Sequence, residues 1–303
     1  MSDAIQSERA FVVAYGASHA GKSLLWYASE LLFAYFLTEA CGLPPRQMGL
    51  ILGASLLLNA LADLVGGLSL DRWVRTPGDA GRLQALGAIL SAGMFVAFGL
   101  AGLVPAPDRF AFALTTIILF RLTYAAMDLP QNALLALATA DDGARARLAS
   151  VRYVFAGVAS IVVAGAFAPF LQKASDAVAP AAFALFSTGL AACAAASAVF
   201  LWRRLSRDRP PRLTTAASSA AATRRDEPVA PRRWPLFLIM FAISASLSIF
   251  GRLEPYFVTY GLTSPLDGGA LLVCGAVGAL ASQPFWSWRA QRRSLISTLR
   301  IPP

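Results

Sequence analysis

Eight long apolar runs divide the chain, at roughly 10–38, 47–69, 83–104, 110–138, 150–172, 180–202, 235–256 and 266–288. A helix needs about 20 apolar residues to cross the hydrocarbon core of a bilayer, and each run reaches that length. Strands of a membrane barrel span about 10 residues and are apolar on one face only, so these runs predict helices. A soluble fold would also need more polar residues than the chain has. Of its 303 residues, 57% are hydrophobic and 14% charged, where soluble domains are about 25% charged. The predicted fold class is all-α, a polytopic membrane protein whose first partner is the lipid bilayer.

The basic residues fall in the gaps between runs, and they do so unevenly. With the N-terminus on the cytoplasmic side, Arg9 lies inside, then Arg72, Arg75 and Arg82, then Arg145 and Arg147. Nine further arginines lie between 203 and 234, and Arg289, Arg292, Arg293 and Arg300 follow the last run. Only Arg46, Arg109 and Lys173 fall outside; Lys22, Arg121, Arg152 and Arg252 lie within or at the edge of runs. This asymmetry predicts that both termini face the cytoplasm and that the protein sits in the plasma (inner) membrane. The same distribution argues against nucleic acid as the partner of the +9 net charge, because no folded basic domain is left to hold one. Cys41, Cys193 and Cys274 are widely spaced and His19 is the sole histidine, so no metal or redox pattern is present and no cofactor is expected. No cleavable signal peptide is expected either, since the first run is too long for one.

The stretch 203–234 is rich in Arg, Ala, Ser, Thr and Pro and reads as a flexible cytoplasmic linker. It separates a six-helix bundle, 1–202, from a partial second bundle, 235–303, with two helices and a basic tail. Six spans, a basic loop and further spans resemble the layout of the major facilitator superfamily.

Residues Gly16 to Ser23 match the P-loop pattern G-x-x-x-x-G-K-[ST]. The pattern requires a strand, a loop and a helix around it. Here the apolar run continues through it to Leu37, so neither nucleotide binding nor ATP hydrolysis is expected and the chain is read as no enzyme.

Charged groups inside a span cost about 2.5–3.5 kcal/mol each on insertion scales and are retained where they pair or line a cavity. His19, Lys22, Trp26 and Glu30 share one face of the first helix at steps of three and four. Ser55, Asn59 and Asp63 form a stripe on the second. Arg121, Tyr124, Asp128 and Asn132 form another on the fourth, beside Pro130, which should bend that helix. Arg152 opens the fifth. Lys22, Asp63, Asp128 and Arg152 are read as functional, lining a polar cavity, whereas Glu30 and Arg121 could equally be structural. Gly49 and Gly53 read as a close helix-packing step, the Trp and Phe residues as mostly lipid-facing or interfacial, and Asp71 to Arg75 as a short basic loop.

Four stretches carry a closer resemblance: Tyr15 to Lys22, Asn59 to Asp63, Thr123 to Pro130, and Ala149 to Tyr153. Together they resemble the glycoside–pentoside–hexuronide cation symporters, the family of the melibiose permease. The match is close over helices one to six and looser over seven and eight. The resemblance implies symport of a sugar with H⁺ or Na⁺ by alternating access. It places Lys22, Tyr124, Asp128 and Arg152 at or beside the sugar, and Asp63 with Asn59 and Asp128 at the cation, Na⁺ being possible at Asp63.

Four positions depart from the family pattern. Asn59 replaces the first acid of a paired-aspartate motif, Ser23 replaces an acid, Leu64 a proline and Asn132 an aromatic. One carboxylate fewer favours H⁺ over Na⁺, which wants several hard oxygens. The expected function is therefore cation-coupled uptake of a sugar, glycoside or related small solute. A lysolipid or other-solute facilitator is an alternative. The family has twelve helices, so a chain of eight is expected to be truncated, and a non-transporting remnant is the other alternative.

Overall fold

The structure is a computed structural model; it describes residues 2–140, 142–171, 180–207, 234–262 and 265–292. Most of the predicted linker, with its arginines from 209 to 233, lies outside these residues, as do Lys173 and the tail from Arg293 onward.

Eight long helices follow in order: α1 (Ser2–Tyr35), α2 (Pro45–Trp73), α3 (Pro77–Gly99), α4 (Ala106–Leu137), α5 (Asp142–Phe167), α6 (Pro180–Arg207), α7 (Trp234–Tyr256) and α8 (Pro265–Arg292). Short π-helical turns, Phe36–Ala40 and Phe257–Gly261, prolong α1 and α7. Among the described residues no strand element occurs. The apolar runs thus mark the helices, but the helices extend past them into polar sequence. α5 begins at Asp142, so Arg152 stands in its third turn and does not open it, as the sequence suggested.

Among the described residues, six helical segments are long and apolar enough to cross a membrane by length and composition: Pro45–Trp73, Pro77–Leu103, Ala106–Leu137, Arg147–Phe167, Pro180–Arg207 and Leu238–Gly261. By this measure α1 and α8 are the two of the eight helices that do not qualify among the described residues. α1 falls short because Ser18, His19, Lys22, Ser23, Ser29 and Glu30 interrupt its apolar sequence. It compensates by being enclosed, packing along α5, α6 and α7. In α8 the apolar stretch among the described residues is the shorter Gly269–Ser282.

Local chemistry sets the turns. Thr76 accepts a hydrogen bond from the Asp79 backbone N–H, and the Asp79 carboxylate accepts one from the Thr76 N–H at 3.0 Å, a capping box that starts α3. Gly42 takes φ 65° between α1 and α2, where a side chain would be strained. Arg109 at the start of α4 donates to the carbonyls of Cys41 at 2.6 Å and Val104 at 2.9 Å, which fastens the opposite end of the bundle.

The phenylalanines divide between two environments: Phe200, Phe241, Phe250, Phe257 and Phe285 are exposed, as an apolar lipid-facing residue would be, and another set fills the core. Phe33, Phe36, Phe95, Phe98, Phe120, Phe167 and Phe183 are all buried. Phe33 meets Phe98 at 4.1 Å and Phe120 at 5.7 Å, and Phe36 stacks on Phe183 at 3.8 Å. These rings join α1, α3, α4 and α6, because close packing of large apolar side chains is what holds helices together where lipid is as apolar as they are. The expectation of close packing at the Gly49–Gly53 step is corrected. Neither glycine has an atom within 4 Å of the place a Cβ would occupy. α2 packs on α4 through a different face, with Ile51, Leu52 and Ser55 buried, while Leu57, Leu64, Val65 and Leu68 point outward.

The close approaches lie elsewhere. A Cβ on Gly87 of α3 would meet the Met127 nitrogen at 2.5 Å and the Ala126 carbonyl oxygen at 2.8 Å on α4. Ala126 is the residue whose carbonyl Pro130, lacking an N–H, cannot engage four residues on. The backbone of α3 therefore leans on the turn that carries Asp128.

Candidate functional site

α3 packs tightly against α4, and α6 and α5 against α1, but α1 and α4 make little backbone contact with each other. The gap between them is a cavity of about 470 Å³ lined by residues of α1, α2, α4 and α5. Its walls include all six site residues singled out from the sequence: Lys22, Asn59, Asp63, Tyr124, Asp128 and Arg152. His19, Ser23, Trp26, Tyr27 and Tyr153 complete most of the polar and aromatic lining.

Side chains bridge the gap that the backbones leave. Lys22, almost fully buried, forms an ion pair with Asp128 Oδ1. Asn132, one turn further along α4, donates to Asp128 Oδ2 at 2.7 Å, and Arg152 donates to Asn132 Oδ1 at 2.8 Å. The result is a continuous chain from α1 through α4 to α5. Removal of a charge from water at this depth is tolerable because every link is hydrogen bonded. Asp63 stands apart on α2. Its Oδ2 accepts from Asn59 Nδ2 at 2.8 Å, and Asn59 Oδ1 is buried without a partner. Tyr124 faces Trp26 across the same gap with ring centroids 5.5 Å apart.

Behind this wall lies a network that the sequence pattern did not reveal. Gln131 Nε2 donates to Ser18 Oγ at 3.4 Å, Gln84 donates to the same hydroxyl, and His19 Nδ1 lies 3.3 Å from Gln131 Oε1. Tyr15 donates to the Gln131 carbonyl at 3.4 Å. The signal was present, since a glutamine inside an apolar run has to find partners, and Gln84 and Gln131 are both fully buried.

One step along α1, Glu30 sits between two arginines. Arg121 of α4 donates to its Oε1 at 3.2 Å and Arg252 of α7 to its Oε2 at 2.8 Å. Arg121 is wholly buried, and its guanidinium lies within 6 Å of the ring centres of Trp26, Phe33 and Phe120. A second cavity of about 550 Å³, mostly apolar, opens between α1, α5, α7 and α8, and Trp26 and Tyr27 separate it from the first. Past it, Thr38 pairs with the Tyr256 hydroxyl at 2.9 Å and Tyr260 donates to Glu39 at 2.8 Å, which extends the seam between α1 and α7.

The P-loop-like residues Gly16 to Ser23 lie inside the unbroken helix α1. Their backbone N–H groups are turned into the helix ladder and not presented as a phosphate cradle. The glycines serve packing instead. A Cβ on Gly16 would meet Phe155 at 2.5 Å, and one on Gly21 would collide with Ser197. Among the described residues no group of three or more His, Cys, Asp or Glu could hold a metal ion.

The sequence profile of the MFS/sugar transport protein family matches residues 14–299. YagG of Escherichia coli (strain K12), a protein named as a glycoside/cation symporter, is 29% identical over 160 residues. The alignment covers 53% of this chain and 35% of that protein, so the matched part spans about a third of the relative's length.

Proposed function

The chain belongs to the family of MFS/sugar transport proteins, and on that premise we propose that it serves cation-coupled symport of a sugar, glycoside or related small solute. It is a multi-pass membrane protein, as its family and its six long apolar helices agree. The observation that carries the transport reading is the single cavity in which Lys22, Asp128 and Arg152, the last two linked through Asn132, meet the Trp26–Tyr124 pair. A sugar offers hydroxyl groups that donate to carboxylates and accept from amines and amides, and apolar ring faces that lie against aromatic side chains. This wall supplies both kinds of surface within a few residues of one another.

Lys22, Tyr124, Asp128 and Arg152 are proposed to bind the solute, and Asp63 with Asn59 and Asp128 the coupling cation. Protons are favoured over Na⁺, because Asp63 has an amide and not a second carboxylate beside it. The unpartnered Asn59 Oδ1 is the feature that would favour Na⁺ instead, as a neutral hard oxygen adjacent to an anionic one. Alternating access is proposed to rock the bundle 1–202 against the helices of 235–303, joined by the linker 203–234, with both termini in the cytoplasm and the protein in the inner membrane. A lysolipid-like solute is the second reading, favoured by the apolar cavity that adjoins the polar one.

The test is uptake of a radiolabelled glycoside by proteoliposomes containing the full chain. An imposed pH gradient should drive accumulation more than a Na⁺ gradient does, and Asp63→Asn should abolish accumulation while sparing passive exchange. Strict Na⁺ dependence with no response to pH would refute proton coupling.

A further inference from the structure

We propose that the second cavity, between α1, α5, α7 and α8, binds a hydrophobic organic cation, an apolar amine or onium ion held at Glu254. The site is separate from the polar cavity, and its occupation does not depend on the sugar-transport reading.

The cavity measures about 550 Å³ and its walls are mostly apolar, a size and character common to small-molecule pockets. Two carboxylates line it, Glu30 on α1 and Glu254 on α7. Their situations differ. Both oxygens of Glu30 accept from arginines, one from Arg121 and the other from Arg252. Glu254 is half-buried and, among the described residues, has neither an ion pair nor a side-chain hydrogen bond. Arg252 lies two residues back, about 200° round the helix, and is turned to Glu30. The walls opposite Glu254 carry no charge: α5 contributes Ser160, Val163 and Ala164, and α8 contributes Leu272, Gly275 and Ala276. The Ser160 hydroxyl is already engaged with the Gly157 carbonyl at 2.9 Å.

A lone carboxylate at bilayer depth is costly unless a positive charge accompanies it. A metal ion wants several oxygen ligands at once, and these walls offer one free carboxylate. A sugar wants donors and acceptors around its whole ring, which so apolar a lining does not supply. An amphiphile whose charge is an acid or a phosphate finds no basic side chain among the described lining residues. What fits is an apolar body with a single positive charge. Trp26, Tyr27 and Phe250 line the same space, and aromatic faces attract cations as well as apolar groups. There is also room. Gly251 and Gly275 both line the cavity, and at neither would a Cβ meet an atom within 4 Å.

The test is equilibrium dialysis of the full chain in lipid nanodiscs against radiolabelled tetraphenylphosphonium. Nanodiscs without protein give the partition into lipid, and triphenylphosphine oxide is the neutral comparator. The cation should bind saturably and at least about tenfold more tightly than the neutral compound, a modest return for a close charge pair. Glu254→Gln should lower the affinity for the cation about tenfold and leave that for the neutral compound unchanged. Glu254→Asp should keep part of the preference, which a merely misfolded variant would not do. Gly275→Leu, which fills the cavity without altering its charge, should weaken both compounds. No saturable binding above that of empty nanodiscs, equal binding of the two compounds, or undiminished binding of the cation by Glu254→Gln would each overturn the proposal. None of these outcomes touches the sugar-transport reading, because Glu254 does not line the polar cavity.

Discussion

Two charged layers lie about two turns apart along α1, and they are built from the same parts. In each, a carboxylate and two cations meet across α1, α4 and a third helix. In the layer at Lys22 the carboxylate of Asp128 engages one cation directly and the other, Arg152, through Asn132. In the layer at Glu30 both arginines engage the carboxylate directly, and three aromatic rings close over Arg121. The interposed amide makes the difference. It leaves Arg152 with donors facing an open cavity, whereas in the second layer both carboxylate oxygens of Glu30 are engaged by arginines and Arg121 is wholly buried. The first layer is placed for binding, and the second for holding α1, α4 and α7 together.

The comparison can be broken most forcefully at Glu30. Glu30→Gln strands Arg121 in a fully buried site, and losing one partner of a buried pair costs about 3–5 kcal/mol. Thermal unfolding in detergent should show a larger loss for this substitution than for Gly87→Ala, Asp128→Asn or Asp63→Asn. A loss no greater than that of a surface substitution would mean the layer is not structural. Gly87→Ala comes next, at about 1–3 kcal/mol for overpacking. The new methyl group meets the α4 backbone at Met127 and Ala126, which cannot yield as a side-chain tip would. Because that turn carries Asp128, solute affinity should fall together with stability; a fall in stability alone would separate α3 packing from the site.

Asp128→Asn should destabilise less, about 1–2 kcal/mol, since Lys22 keeps a hydrogen-bond acceptor and the cavity admits water. Its effect on solute binding should nonetheless exceed that of Glu30→Gln, which is the sharpest form of the contrast between the layers. The smallest change in stability is expected for Asp63→Asn, within about 0.5 kcal/mol, because the residue is half-buried and bonded only to Asn59. Here the unfolding midpoint should hold while cation dependence disappears.

Much of this was legible without coordinates. Stripes at steps of three and four put Lys22 beside Trp26 and Asp128 beside Asn132, because a helix repeats every 3.6 residues whatever surrounds it. The polar residues were conspicuous against apolar sequence, so the cavity-lining set could be named. The identity of each partner could not. Arg121 and Asp128 share one stripe on α4, yet one meets Glu30 and the other Lys22. Gln84 and Gln131 carry no charge to set them apart from the apolar sequence around them, and their shared partner Ser18 lies on another helix.

The sequence by itself determined the helical class, the number of long helices and the residues that would be costly to leave unpaired, since all three follow from local periodicity and from the price of polarity in hydrocarbon. Only the tertiary structure decided which phenylalanines face inward, that Gly87 and not Gly49 or Gly53 is the close approach, and that Arg152 ends on an amide. Those outcomes depend on the rotation of each helix about its axis and on which neighbour it meets. Such rotation is set by packing between segments far apart in the chain, and periodicity within a segment carries no record of it.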